Sequence, residues 1–516
     1  MSQDMTSTFK YPIPEEIKTS VQQYEQQEKK IKPQTMKDIK SVLAIEGEKW
    51  RNENSRTVQK GPNKGDVKIP PIPSHKMAAI VSKHVIFKMI GRERQRSSLN
   101  YYNVDEGVYE SDVLEIHALI RCVDHRGNDT TWDSVIDHLK VISPVVLPFE
   151  DKNLMPVHNG MFNLKTKETL PFDPKYPIVS KIRTKPNPNA PGKLYDDEGN
   201  LLFCVETAMS EWAVKDEELI TLLWQIINEA TNPYYTRKKM VFLVGDGANG
   251  KGTFEQLIKH LVGDKNFAAL RPSDYSERFR TEFLVGKVVN IGDDADDEHL
   301  KRPGDLMSVV TGDPIMVEKK HGGTYVTELK LLNIFSMNSL PSSSNKSYGW
   351  YRRLLLVPFN ADFSGRKEDP KIKEEYLKHP DILEYVLHKA LNLKFDRFIE
   401  PKASQKLLNE YKNVNDFMRQ FVVEAYIEEG YHKIEKVPNG FIRQRLDDYL
   451  TSQRHKHTPI PNDFGTQLAK LLTEETEGTY EYKTTRFSET FYNQLTQGMK
   501  LSVKRGANVY GVVKVK

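Results

Sequence analysis

Nine residues, Gly245 to Thr253, read GDGANGKGT and hold the strongest chemical signal in the chain. The apolar run Met240 to Val244 suits a central parallel strand. Behind the loop, Phe254, Leu257, Ile258, Leu261 and Val262 recur on one helical face before Gly263. Strand, glycine-rich loop and helix in that order predict a cradle for nucleotide phosphates. Consecutive backbone N–H groups of Gly245, Asp246, Gly247, Ala248, Asn249, Gly250, Lys251, Gly252 and Thr253 would face phosphate oxygens, assisted by the helix dipole. Lys251 would neutralise the terminal phosphates, and Thr253 would hold magnesium. The competing reading is a chance glycine-rich turn.

Three further clusters share this region. Val288 to Ile291 is a buried-strand candidate ending in Gly292, Asp293 and Asp294. One acid at such a tip can bind magnesium (Mg2+) or its water and a neighbour can orient the attacking water, so both aspartates are catalytic and metal candidates. With Asp296, Asp297 and Glu298 following, the alternative is a solvated acidic loop. A third strand candidate, LLNIFSM, ends at Asn338 and stops at Pro341; its amide could bond the attacking water or simply form a turn. Between them, IMVEKKHGGTYVT alternates around Gly322-Gly323, which predicts a hairpin carrying Lys319, Lys320 and His321 near its tip. Lysine supplies a point charge for phosphate and histidine a hydrogen bond or a stacking ring. Arg352 and Arg353, in WYRRLLLVPF, read by themselves as surface or interface salt-bridge residues.

These clusters need a frame. We expect an α/β chain in five parts: a polar arm or linker (1–73), an α+β accessory domain (74–198), the phosphate-loop unit with a parallel sheet flanked by helices (199–368), a helical connector (369–415) and a C-terminal unit (416–516). Asn159-Gly160 predicts a tight hairpin turn in the accessory domain. Leu219, Leu222, Leu223, Ile226 and Ile227 predict a helix leading into the first strand. In the last unit NGFIRQRLDDYLTSQ and NDFGTQLAKLLTEE predict two helices with Asn439 and Asn462 as N-caps. The tail from Met499 predicts a basic two-stranded turn around Gly506 to Asn508; with Lys504 and Arg505 it is a DNA-binding candidate, and helix, helix, hairpin suggests a winged helix. A protein-docking winged helix is the alternative.

The ordered set resembles the superfamily 3 helicases, hexameric AAA+ motors of viruses, phages and mobile elements, and most of all the poxvirus and phage/plasmid primase-helicase group. The matching features are Asn249 before Gly-Lys, the paired acids, Asn338, Arg352 and Arg353 before a strand ending in Pro358-Phe359, Arg278-Phe279 followed by Leu284 to Lys287, and Val310 to Ile315. NGMFNLKT resembles that group's accessory domain. The resemblance implies an AAA+ core, ATP and Mg2+ as cofactors, a homo-hexamer, and an arginine finger from Arg352 or Arg353 that completes a neighbour's site. It implies a pore hairpin gripping single-stranded or forked DNA through Lys320 and His321, and 3′-to-5′ movement in replication of a phage, plasmid or mobile element. Many members carry glutamate in the second motif whereas this chain offers Asp293 and Asp294. Papillomavirus-type helicases also pair aspartates, so the question left open is which aspartate prepares the water. A C-terminal winged helix would add origin duplex DNA as a partner, and a separate primase is expected. Two rival readings are an origin-binding initiator that remodels DNA without processive unwinding, and a P-loop kinase-type enzyme, which would leave the hairpin and arginine pair unexplained.

Composition sets the outer bounds. At 516 residues the chain can bury several cores, and its net charge of +4 confines any nucleic-acid charge to local patches. Two cysteines, Cys122 and Cys204, support neither a disulfide framework nor a zinc site and are read as inert thiols. The absence of an apolar run near membrane-spanning length, and of an apolar core at the start, predicts a cytoplasmic protein without a membrane partner.

Overall fold

The computed structural model describes residues 35–515 except 64, 95–96, 233, 294–299, 301, 319, 321–322, 342, 344, 346, 366–368, 416, 453–459 and 488–507. Helix α1 (Met36–Asn54) opens with a capping box in which Thr35 and Asp38 satisfy each other's backbone N–H groups. Its Ile39, Leu43 and Gly47, four residues apart, form the buried stripe. Gly47 lets α1 touch the end of α3 (Val113–Val123), since a methyl there would come within 2.0 Å of the Val123 carbonyl oxygen. Ile39, Leu43 and Ile72, from the stretch read as an arm, thus join a core with α2 (Ser74–His84), α3 and α4 (Asp129–Ile142). That core covers a four-stranded sheet in the order β3 (Val108–Glu110), β2 (Ser98–Asn103), β1 (Phe87–Ile90), β4 (Val145–Val146).

A small meander follows: β5 (Leu154–Val157), β6 (Gly160–Asn163) and β7 (Thr169–Leu170). The hairpin is present, but Val157 pairs with Gly160, so its two turn residues are His158 and Asn159, one position earlier than the Asn-Gly pair suggests. Gly160 serves another purpose. At φ 144° a side chain there would sit 2.2 Å from the Leu170 carbonyl oxygen, so glycine admits β7.

The central sheet is five-stranded and wholly parallel: β11 (Phe267–Ala268), β12 (Val289–Gly292), β15 (Leu332–Met337), β10 (Met240–Val244), β16 (Leu354–Pro358). Its strands are apolar because helices cover both faces. One core holds α5 (Val205–Trp212), α6 (Glu217–Ala230), α7 (Lys251–Val262) and α10 (Pro380–Asn392). The other takes in α8 (Gly304–Thr311), the paired strands β13 (Pro314–Glu318) and β14 (Thr324–Glu328), the short α9 (Tyr348–Tyr351) and α11 (Lys402–Asn415). A further antiparallel pair is β8 (Lys193–Tyr195) and β9 (Leu201–Cys204), and Arg56–Thr57 pairs with Val67–Lys68. Segment 369–415 is helical and built into these cores; Ile382, Val386 and Leu387 are fully buried, and the Tyr411 hydroxyl donates to the Pro341 carbonyl at 2.7 Å.

In the C-terminal unit, α12 (Phe417–Phe421) runs through a π turn at Val422–Ile427. It precedes β17 (Lys436–Pro438), α13 (Asn439–Ser452), α14 (Phe464–Glu475), β18 (Tyr480–Arg486) and β19 (Asn508–Lys514). The antiparallel sheet runs β17, β19, β18. Two helix starts differ from expectation: α13 already includes Asn439, and Asp463 rather than Asn462 caps α14. The strand partner also differs, since β19 pairs with Tyr480–Arg486, and the residues expected to pair with it, from Met499, lie outside the described set.

Candidate nucleotide and nucleic-acid sites

Register brings the strand tips together. Val244 pairs with Met337 on one side and Pro358 on the other, and Gly292 pairs with Phe335. The Gly245 loop, Ser336, Asn338 and Asp293 therefore gather at the carboxyl edge of the sheet, with β15 between the loop strand and the acidic strand.

The loop needs its glycines. Gly247 and Gly250 have φ of 97° and 92°, and a side chain on Gly250 would strike the Trp212 ring at 2.3 Å. Ala248 also has positive φ, 43°, and its carbonyl accepts from Phe363 N–H at 2.8 Å. No described residue comes within 4 Å of where a side chain on Gly247 would lie, so backbone here can approach a ligand closely. Asn249 turns inward: 3 % exposed, it donates to the Phe359 carbonyl at 3.1 Å and braces the loop against the chain leaving β16. Lys251, 7 % exposed, folds its Nζ back onto the Gly245 carbonyl. Asp246, Gly247 and Ala248 are exposed. Among the described residues, a methyl on Gly252 would meet only Lys373 Nζ within 4 Å, at 3.9 Å. In phosphate loops the residue directly after the lysine is ordinarily the serine or threonine that holds magnesium. Here it is Gly252, and Thr253, half-buried, lies about 100° further round the helix.

Asp293, exposed, accepts from Ser336 Oγ at 2.8 Å; Asp294 lies outside the described residues. Asn338 is exposed at the tip of β15. Beneath them is Glu255, which sequence reasoning missed. It is fully buried, with Ser336 and Asp293 as its polar neighbours. Burial first, then the negative charge of Asp293, pushes its pKa up to about 8, against a smaller opposing pull from Lys259. A signal was available: Lys251, Glu255, Ile258 and Val262 form the second half of the buried stripe of α7. Ser336 and Lys373 were also missed, and only tertiary contact reveals them.

Arg352 and Arg353 sit at the opposite edge of the sheet, where Arg353 O accepts from Met240 N–H at 2.8 Å. The five residues of β16 separate them from the loop end by about 17 Å. They differ in environment: Arg353 is half-buried with Nη1 on the Gly349 carbonyl, and burial, then Arg352, lowers its pKa. Arg352 is exposed, its guanidinium 5.9 Å from the Tyr348 ring centroid.

The expected hairpin is β13 and β14, paired from Pro314↔Glu328 to Glu318↔Thr324. Lys320 is exposed at its tip, whereas Lys319 and His321 lie outside the described residues. Val317 packs into the core; Met316 and Val326, directly opposite each other, face outward at 70 % and 55 % exposure. Arg278 holds Glu318 at the outer end, with Nε to Oε2 at 3.0 Å, and Arg92 holds Glu328 at the root at 2.6 Å. In the C-terminal unit Lys504 and Arg505 lie outside the described residues; Tyr482 and Tyr510 stack with centroids 5.4 Å apart.

Cys122 and Cys204 are free thiols. Among the described residues no group of three or more His, Cys, Asp or Glu side chains could hold a metal, and no helix is long and apolar enough to cross a membrane.

Residues 23–212 match the family described as "D5 N terminal like", and residues 243–353 match a family of unknown function, DUF5906. The chain is similar to solved structures of the NrS-1 C-terminal region. An A-form apo structure of that region is 9% identical with a TM-score of 0.46, covering 87% of this chain and 100% of that one. A further apo structure is 10% identical with a TM-score of 0.44, covering 86% and 100%.

Proposed function

We propose that this chain is an ATP-driven replication helicase of the phage and viral primase-helicase type, built on an AAA+ core and working as a ring. The observation that carries the reading is strand order. With β15 inserted between β10 and β12, Asn338, Ser336 and Asp293 flank the glycine loop. An amide able to orient water then lies between a phosphate cradle and an acid able to hold magnesium. The match of residues 23–212 to the D5 N-terminal-like family supports the same reading from a separate part of the chain.

The loop fits a nucleotide, because open space over Gly247 and left-handed backbone at Gly250 leave N–H groups for phosphate. Magnesium, when bound, supplies charge stabilisation at the phosphates. Lys251 neutralises phosphate charge, Asp293 holds the metal or its water, with Asp294 beside it in sequence, and Asn338 orients the attacking water. Arg352 is the finger that acts on a neighbouring subunit: it is exposed and about 17 Å from its own loop, while Arg353 is anchored inward. Subunit assembly is therefore required for hydrolysis, with a homo-hexamer as the ring and 3′-to-5′ as the direction of travel. The hairpin presents Lys320, with its sequence neighbours Lys319 and His321, to single-stranded DNA in the channel. The C-terminal order of helix, strand, helix, helix and two strands, with a sheet ordered β17, β19, β18, supports a winged helix that contacts duplex DNA through its basic tail.

The test is ATPase and tailed-duplex unwinding by wild type, Lys251→Ala, Lys320→Ala and Arg352→Ala, with sizing in nucleotide. Lys251→Ala should lose both activities. Lys320→Ala should hydrolyse ATP without unwinding, and Arg352→Ala should bind ATP but hydrolyse it at least about 10³-fold more slowly. Full unwinding by Lys320→Ala combined with His321→Ala would refute the pore assignment. ATP hydrolysis that needs neither assembly nor Arg352 would refute the ring.

A further inference from the structure

Gly252 stands where phosphate loops ordinarily carry a hydroxyl, and this removes one contact to the metal that accompanies a triphosphate. Among the described residues, one group reaches the space its side chain would fill, the ammonium of Lys373, 3.9 Å from where a methyl would lie. Lys373 belongs to the short helix Lys371–Glu374, on the chain leaving the central sheet. That segment is anchored: Tyr376 and Leu377 are buried in the core shared with α7, Ile372 packs against it, and the His260 ring of α7 lies against the Lys373 backbone. Lys373 itself is exposed, and among the described residues no carboxylate forms an ion pair with it.

We propose that Lys373 is a second phosphate-binding cation of the nucleotide site, its Nζ taking the space over Gly252 that a hydroxyl fills elsewhere. The proposal rests on the nucleotide-binding reading above. Lys251 alone brings one positive charge to a triphosphate bearing three to four negative ones, and the lost hydroxyl weakens the hold on the divalent ion. An ammonium on a flexible stem, arriving from the next segment, supplies charge at the first turn of α7 without needing the metal. Glycine at 252 leaves room for it. Glu255, fully buried one turn below Lys251 and beside Ser336 and Asp293, marks the same end of the helix as polar rather than merely structural.

The experiment is equilibrium binding of a fluorescent ATP analogue, followed by anisotropy in EDTA and in magnesium, to wild type, Lys373→Ala, Lys373→Arg, Gly252→Ser and Lys251→Ala, with melting temperatures. Lys373→Ala should bind about 10-fold more weakly in EDTA, with a smaller loss in magnesium and an unchanged melting temperature, as expected for one lost charge-assisted contact. Lys373→Arg should recover most of the affinity. Gly252→Ser, adding a metal ligand, should restore the magnesium-dependent affinity of Lys373→Ala when the two are combined. Affinity within about 2-fold of wild type for Lys373→Ala in EDTA, alongside a clear loss in Lys251→Ala, would overturn the proposal and leave the phosphate loop standing. Wild-type affinity in Lys251→Ala would instead overturn the nucleotide site itself, and the proposal with it.

Discussion

Replacing Glu255 by glutamine isolates the cost of one buried carboxyl. Its ordinary pKa of 4.5 rises to about 8 in the folded chain, through burial first and the Asp293 charge second. Because the folded value is the higher one, the folded chain keeps a proton there that the unfolded chain gives up above pH 4.5. Stability from this group is greatest at low pH and falls as pH rises toward 8. At about 1.4 kcal/mol per pH unit the whole span costs roughly 5 kcal/mol, of which about 3 kcal/mol is lost between pH 5 and pH 8. Glutamine matches the shape and cannot ionise. The assay is thermal unfolding of wild type and Glu255→Gln in EDTA at several pH values between 5 and 8, with the transition of the nucleotide unit followed. The two should melt together near pH 5 and separate steadily, with the variant higher by roughly 5 to 10 °C at pH 8. A gap that does not change with pH, or a variant less stable at pH 8, would refute the argument, because either result means that Glu255 is ionised and well partnered.

Gly250→Ala forces a side chain onto left-handed backbone and into the Trp212 ring, so nucleotide affinity should fall at least about 10-fold, measured by analogue binding, with a destabilisation of about 1–3 kcal/mol. Asn249→Ala removes the buried bond to Phe359; it should cost about 1–2 kcal/mol in denaturant unfolding and loosen nucleotide binding, although Asn249 faces away from the ligand space. Gly47→Leu should detach α1 from α3, exposing the N-terminal unit to limited proteolysis while ATP binding is unchanged.

What was legible in the sequence was local. An apolar strand, a glycine loop and an amphipathic helix declare themselves within about two dozen residues, since their periodicities come from backbone geometry alone. The alternation either side of Gly322-Gly323 likewise reports a hairpin, and Leu219 to Ile227 report a helix. The turn at His158-Asn159 shows the limit of that reasoning, because Gly160 answers to the approach of Leu170 from a later strand rather than to the turn.

Only tertiary structure decided the rest. Nothing in LLNIFSM says that it lies between β10 and β12, and that insertion is what brings Ser336 and Asn338 beside Asp293 and the loop. Arg352 and Arg353 follow the acidic and Asn strands in sequence, yet parallel strands return the chain to the far edge, about 17 Å from the loop. Glu255 looks like an ordinary helical charge until the strand tips close over it, and Lys373 lies more than a hundred residues from the glycine it approaches. Side-chain period is a property of a few turns of backbone, whereas the meeting of distant residues depends on how whole elements pack, and no local pattern encodes that order.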